Sequence, residues 1–157
     1  MTPPTNPRPH RTWQAWTLAV IQLFVAYQAV SGGVGLITDS WRLPAGWLVR
    51  TPFTSWVGPG WTLIVLVAVP HLVAAVPQLL LPGRPRLAIL AGLLAGGSLL
   101  VWIAVQLAVL QVYFFLQPVI AAIGLVQIAI ALSWRGRLQK EDAAWRLARL
   151  ARSNAVG

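Results

Sequence analysis

The chain contains no cysteine, a single lysine and only three acidic residues in 157. Without cysteine there is no disulfide framework, no thiol nucleophile and no cysteine-held iron–sulfur cluster. The three acids are Asp39, Glu141 and Asp142. Glu141 and Asp142 suit the first turn of a C-terminal helix, and Asp39 reads as a local ion pair with Arg42. Paired catalytic carboxylates, a nucleophile–base set, a phosphate-cradling glycine loop and a haem signature are all missing, so no catalytic residue is assigned. No metal site is assigned either, because His71 has no second imidazole, carboxylate or thiol near it in sequence. An active site around Asp39 is the least favoured reading.

Charge is also missing from four long apolar runs between Trp13 and Trp134. Hydrophobic residues make up 57% of the chain and charged ones 10%, against about 25% charged in soluble domains. Mean hydropathy is +0.70. These features predict an all-α integral membrane four-helix bundle with an apolar, partly helical first external loop and a basic amphipathic C-terminal helix. The predicted helices cover about 13–35, 60–81, 87–110 and 116–134. The first run is long enough to span a bilayer as an uncleaved helix. Residues 1–12, with four prolines, predict a disordered tail. Residues 135–157 form a basic amphipathic tail.

Gly32, Gly33 and Gly35 are expected to end the first helix. The connection that follows carries Trp41, Trp47, Phe53 and Trp56, and is expected to lie in the membrane interface. Lys and Arg are distributed unevenly. Ten lie on the side of both termini and the second loop, whereas only Arg42 and Arg50 lie on the other. The termini are therefore expected in the cytoplasm. Eight of the nine tryptophans fall at the two interfaces, leaving Trp102 within a run. Arginine far exceeds lysine and alanine, glycine and proline are frequent, as in high-GC bacteria, so the expected location is a bacterial inner membrane. The net charge of +9 is read as a topology signal and a contact with anionic lipids, not as a nucleic-acid surface.

At about 1.5 Å of rise per residue, Gln22, His71, Ser98 and Gln127 fall in one central layer, one from each helix. Pro70 is expected to bend the second helix beside it by freeing the Leu66 carbonyl. With Trp102, these residues are the candidate ligand site. The bland alternative is hydrogen bonding across helices to hold the bundle. Tyr27, Gln28 and Gln106, with Trp102, are a candidate outer cavity. Ala88, Gly92 and Gly96 recur every fourth residue and predict close helix packing, within the bundle or in a dimer. In the tail, Ala143, Leu147, Leu150 and Ala151 share one face, and Arg146, Arg149 and Arg152 the opposite one. That pattern predicts a helix lying on an anionic leaflet, with a solvated cytosolic helix as the alternative.

The four spans, the glycine-ended first helix and the long apolar first loop resemble small bacterial four-helix membrane proteins of the DoxX-like group, as a pattern over roughly 22–133. That resemblance implies a link to quinone or thiol redox systems, and the lack of cysteine argues against the thiol branch. The leading expectation is a non-catalytic accessory or scaffold subunit, in a membrane assembly or a homo-oligomer. The alternative is a binder or carrier of a small hydrophobic ligand such as a lipid or quinone. A DoxX-like redox enzyme subunit is third.

Overall fold

The computed structural model describes residues 12–154. The proline-rich tail, apart from Thr12, lies outside the described residues. Four helices, each long and apolar enough to cross a membrane, form an all-α bundle: α1 Trp13–Ile37, α2 Val57–Leu80, α3 Pro85–Leu110 and α4 Leu116–Asn154. The chain is a multi-pass membrane protein with no strand among the described residues. Lipid leaves the backbone no water to bond, so helices that close their own hydrogen bonds are the natural spanning element. The topology is up-down-up-down. Each helix packs on the next in sequence, α4 closes the ring against α1, and α2 and α4 face each other diagonally. Below, the end carrying Trp13, the α2–α3 turn and Trp134 is the terminal end, and the opposite end is the loop end.

Several boundaries differ from the sequence expectation. Helix α1 does not stop at its glycines but runs to Ile37. Gly32, Gly33 and Gly35 are buried, and their role is contact. A Cβ at Gly33 would stand 2.8 Å from the Gly60 carbonyl oxygen, and one at Gly60 would stand 2.7 Å from that of Gly33. The two backbones therefore touch where α1 crosses α2. The same thing happens between α3 and α4. A Cβ at Gly96 would meet the Gly124 carbonyl at 2.6 Å, and one at Gly124 would meet that of Gly96 at 2.9 Å. Ala88 and Gly92 also face inward, with Leu18 and Ala131 bordering Gly92.

Helix α2 starts at Val57, three residues early, since Pro59 in its first turn lacks only an N–H that has no helical partner there. Where the sequence leads one to expect a bend beside Pro70, the helix has a wide turn over Ile64–Ala68, in which the Val69 N–H bonds the Ile64 carbonyl five residues back. Such a bulge absorbs the missing proline donor. Pro77 also lies inside this helix. The first loop contains a single 3-10 turn, Ala45–Leu48, and the Trp56 indole Nε1 donates to the Leu43 carbonyl at 3.1 Å. Asp39 and Arg42 form no ion pair. Both adopt positive φ in a tight turn closed by the Arg42 N–H on the Asp39 carbonyl. The only ion pair among the described residues joins Arg86 to Asp142 at 3.0 Å.

The largest departure is α4. The separate tail helix does not exist: the helix passes Trp134 without a break and continues to Asn154 over 39 residues, about 58 Å. Arginine ends the lipid-compatible stretch, but it does not end a helix, because Arg, Lys, Gln, Glu and Ala are good helix formers. Tertiary contacts hold the first turns of the extension. Leu138 packs on the core cluster containing Trp134, the Arg137 guanidinium lies 5.8 Å from the Trp13 ring centre, and Asp142 takes Arg86. Glu141 and Asp142 are thus mid-helix, and the basic tail is helical as expected but continues α4 along its own axis. Arg149 stacks over Trp145 at 4.9 Å, and Leu147 and Leu150 are exposed.

Two predictions test this architecture. Gly96→Leu forces a side chain into the Gly124 backbone and is expected to cost about 1–3 kcal/mol or more, read as a lowered midpoint of unfolding in detergent. Gly136→Ala meets nothing within 4 Å and replaces glycine inside a continuous helix, so it is expected to raise helicity by circular dichroism and stability by about 0.5–1 kcal/mol. A helix broken at Trp134 gives no such gain.

Candidate polar layer in the bundle interior

The apolar core is in two pieces. The lower cluster, toward the terminal end, contains Ala15, Leu18, Ala88, Ile89, Ala131 and Trp134. The upper one contains Val25, Ala29, Val67, Ala68 and Leu99, with Trp102, Ile120 and Ile123 packed against it. Between them lie three polar side chains with no solvent exposure: Gln22, His71 and Gln127. Helical spacing puts them at one level. Gln22 is one turn above Leu18 and just below Val25. Gln127 is one turn above Ala131 and one below Ile123, and its Cβ borders Gly96 at 3.2 Å from a Cβ position there. His71 is one turn below Val67. In the ring of helices, α2 with His71 stands diagonally across from α4 with Gln127, and α1 with Gln22 packs on both helices.

Their hydrogen bonding is unusual for a buried layer. The His71 Nδ1 lies 2.8 Å from the Val67 carbonyl oxygen. A carbonyl only accepts, so Nδ1 carries the hydrogen, and in the neutral ring Nε2 is then an acceptor. That Nε2 has no protein partner, nor does either amide atom of Gln22 or Gln127. These side chains therefore do not bond one another, as cross-helix ties would. The layer offers one ring acceptor, two amide donors and two amide acceptors in an apolar surround, and a buried polar group left unpaired costs about 1–3 kcal/mol.

The other sequence candidates are placed differently. Ser98 is outside the layer: its hydroxyl donates to the Ala95 carbonyl of its own helix at 2.8 Å, and it sits two residues, about 200°, around from Gly96. The α3 contribution at this level is Gly96, whose missing side chain leaves space beside Gln127. Trp102 is half-buried against the upper cluster, above the layer. Tyr27 and Gln28 are exposed on the outer face of α1, away from the buried Ala26 and Ala29. They do not enclose a cavity with Trp102 and the half-buried Gln106.

Three buried amides are not among the sequence candidates: Gln117, which accepts from the Phe114 N–H and donates to the Val112 carbonyl at the start of α4, and the pair Gln14 and Gln78. Gln14 is 1% exposed, with neither amide atom bonded. Gln78 is 2% exposed; its Nε2 donates to the Ala88 carbonyl across the α2–α3 contact at 3.1 Å, and its Oε1 has no partner. Both lie on the same stripe as a recognised candidate, Gln14 eight residues before Gln22 and Gln78 seven after His71, so inward periodicity is the signal that identifies them. With the unpartnered Trp134 Nε1, Gln78 lines a cleft of about 230 Å³ at the terminal end. No group of three or more histidines and acids that could hold a metal occurs among the described residues.

Replacing an unpartnered buried amide by an apolar residue of similar size removes a desolvation cost. Gln22→Leu and Gln127→Leu are each expected to stabilise the ligand-free protein by about 1–3 kcal/mol. Thermal unfolding in detergent reads the change, and a loss of stability would mean that the amides tie the helices together. Comparison with protein-family models, with curated proteins and with solved structures gave no match for this chain.

Proposed function

We propose that the bundle binds a small hydrophobic molecule bearing a hydrogen-bonding head, of the quinone or hydroxylated-lipid class, with the head in the Gln22–His71–Gln127 layer. One observation carries this reading: five polar atoms are fully buried at one level of a membrane bundle and none has a protein partner. A hydroxyl donates to His71 Nε2, a carbonyl accepts from the glutamine amides, and the two apolar clusters accommodate a chain or ring. The pattern likeness to the DoxX-like group points in the same direction. The layer's one basic group, the His71 imidazole, has no carboxylate or hydroxyl partner beside it, which favours binding or carriage over catalysis. The uneven distribution of arginine supports a bacterial inner membrane location with both termini in the cytoplasm.

A second reading, as an accessory subunit or homo-oligomer, is favoured by Gln28 and Tyr27. They face outward from α1 within its span, with Tyr27 67% exposed. An amide facing lipid is satisfied by a partner helix.

The test of the first reading is titration of the purified protein with a short-chain ubiquinone analogue and, separately, with a hydroxylated lipid. His71→Leu and Gln127→Leu are expected to weaken binding at least tenfold, while Tyr27→Phe leaves it unchanged. Binding that survives both layer substitutions, or no binding of either probe, overturns the proposal.

A further inference from the structure

Outside the core, at the terminal end, the first turns of α3 and the extension of α4 form a groove of about 640 Å³, within the size range of ligand sites, about 300–1,000 Å³. Its two halves differ in chemistry. Ile89, Leu90 and Leu93 from α3 and Leu138 from α4 give an apolar floor, and Arg86, Arg135 and Arg146 give a cationic rim. The single anion in the groove is Asp142, and it is already engaged with Arg86 at 3.0 Å. Arg135 and Arg146 have no anionic partner among the described residues.

The order of these groups along the bundle narrows the occupant. Arg86 is in the first turn of α3, and Arg135 follows Trp134, where the uncharged part of α4 stops. From there, Leu90 and Leu93 continue into the membrane span, with Leu90 half exposed. A phosphate at the arginines with an acyl chain running along the leucines has the same order. A free phosphate satisfies only the rim. A zwitterionic lipid brings its own ammonium against three guanidiniums. Basic pockets between spanning helices are known to take anionic headgroups, and a guanidinium fork matches a phosphate bidentately.

We propose that this groove holds one anionic phospholipid, its phosphate between Arg86 and Arg135, one acyl chain along Ile89, Leu90 and Leu93, and Arg146 at the far rim, eleven residues or about 16 Å along α4 from Arg135. The lipid then adds a link between α3 and the α4 extension beside the Arg86–Asp142 pair and the packing of Leu138. This site is separate from the midplane layer and stands whether or not that layer takes a ligand.

The test uses the full chain reconstituted in nanodiscs containing equal phosphatidylglycerol and phosphatidylcholine, transferred to mild detergent, with retained lipid read by native mass spectrometry. One phosphatidylglycerol per chain is expected to be retained in preference to phosphatidylcholine. Arg135→Gln, which leaves the Arg86–Asp142 pair intact, is expected to lower retention about fivefold, corresponding to ~1 kcal/mol for one basic residue. Arg149→Gln with Arg152→Gln, beyond the groove, is the control and leaves retention unchanged. Equal retention of phosphatidylcholine, an equal loss in the control, displacement by millimolar glycerol phosphate, or an acidic protein recovered in place of lipid would each overturn the proposal.

Discussion

Where lipid surrounds a bundle, packing leucine against leucine releases no water, so helices associate by approaching closely and filling space. In this protein that constraint is met at two points of backbone contact, Gly33 on Gly60 and Gly96 on Gly124. The first joins α1 to α2 near the loop end, and the second joins α3 to α4 near the middle. Together they account for the long run of α1 through three glycines and for the tight α3–α4 seam. They also explain why so many large apolar side chains, from Val20 to Leu132, remain outside and face the lipid.

The polar layer depends on the second contact. Gly96 brings α4 close enough for Gln127 to enter the interior, and the absent side chain at Gly96 leaves the amide room. The wide turn over Ile64–Ala68 has a related effect on α2: it carries the chain past Pro70 and sets His71 facing inward with its Nδ1 on the Val67 carbonyl. Local irregularity in one helix and close contact between two others thus meet at the same level, where the apolar core divides. A core held only by apolar contact has no reason to divide there, and amides that tied helices together would bond each other. The unpartnered amides are what the proposed recognition of a polar head rests on.

Much of this was legible in the sequence. Uncharged length reveals four spans, and rise per residue places Gln22, His71 and Gln127 at a common depth without further information. Facing direction was harder to read. Ser98 has the right depth and the wrong side of its helix, and Gln28 stands one residue, about 100°, from the buried Ala29. Gln14 and Gln78 went unseen because depth alone put them near the interface, although each repeats the spacing of a residue already noticed. The glycines of α1 are ambiguous in the sequence because clustered glycine suits a helix end as well as a crossing, and only the partner, Gly60, distinguishes them. The end of α4 differs from the sequence expectation because the signal for leaving lipid is not a signal for ending a helix. Those two boundaries have different causes, solvation in one case and backbone hydrogen bonding in the other.

The unbroken course of α4 has a mechanical consequence. The helix is held against the bundle as far as Asp142, through Trp134, Arg137 and Leu138. The twelve residues from there to Asn154 rise about 18 Å further. A continuous helix fixes the bearing of what it carries, so Arg149 and Arg152 are presented at a set distance and direction from the bundle rather than on a free tail.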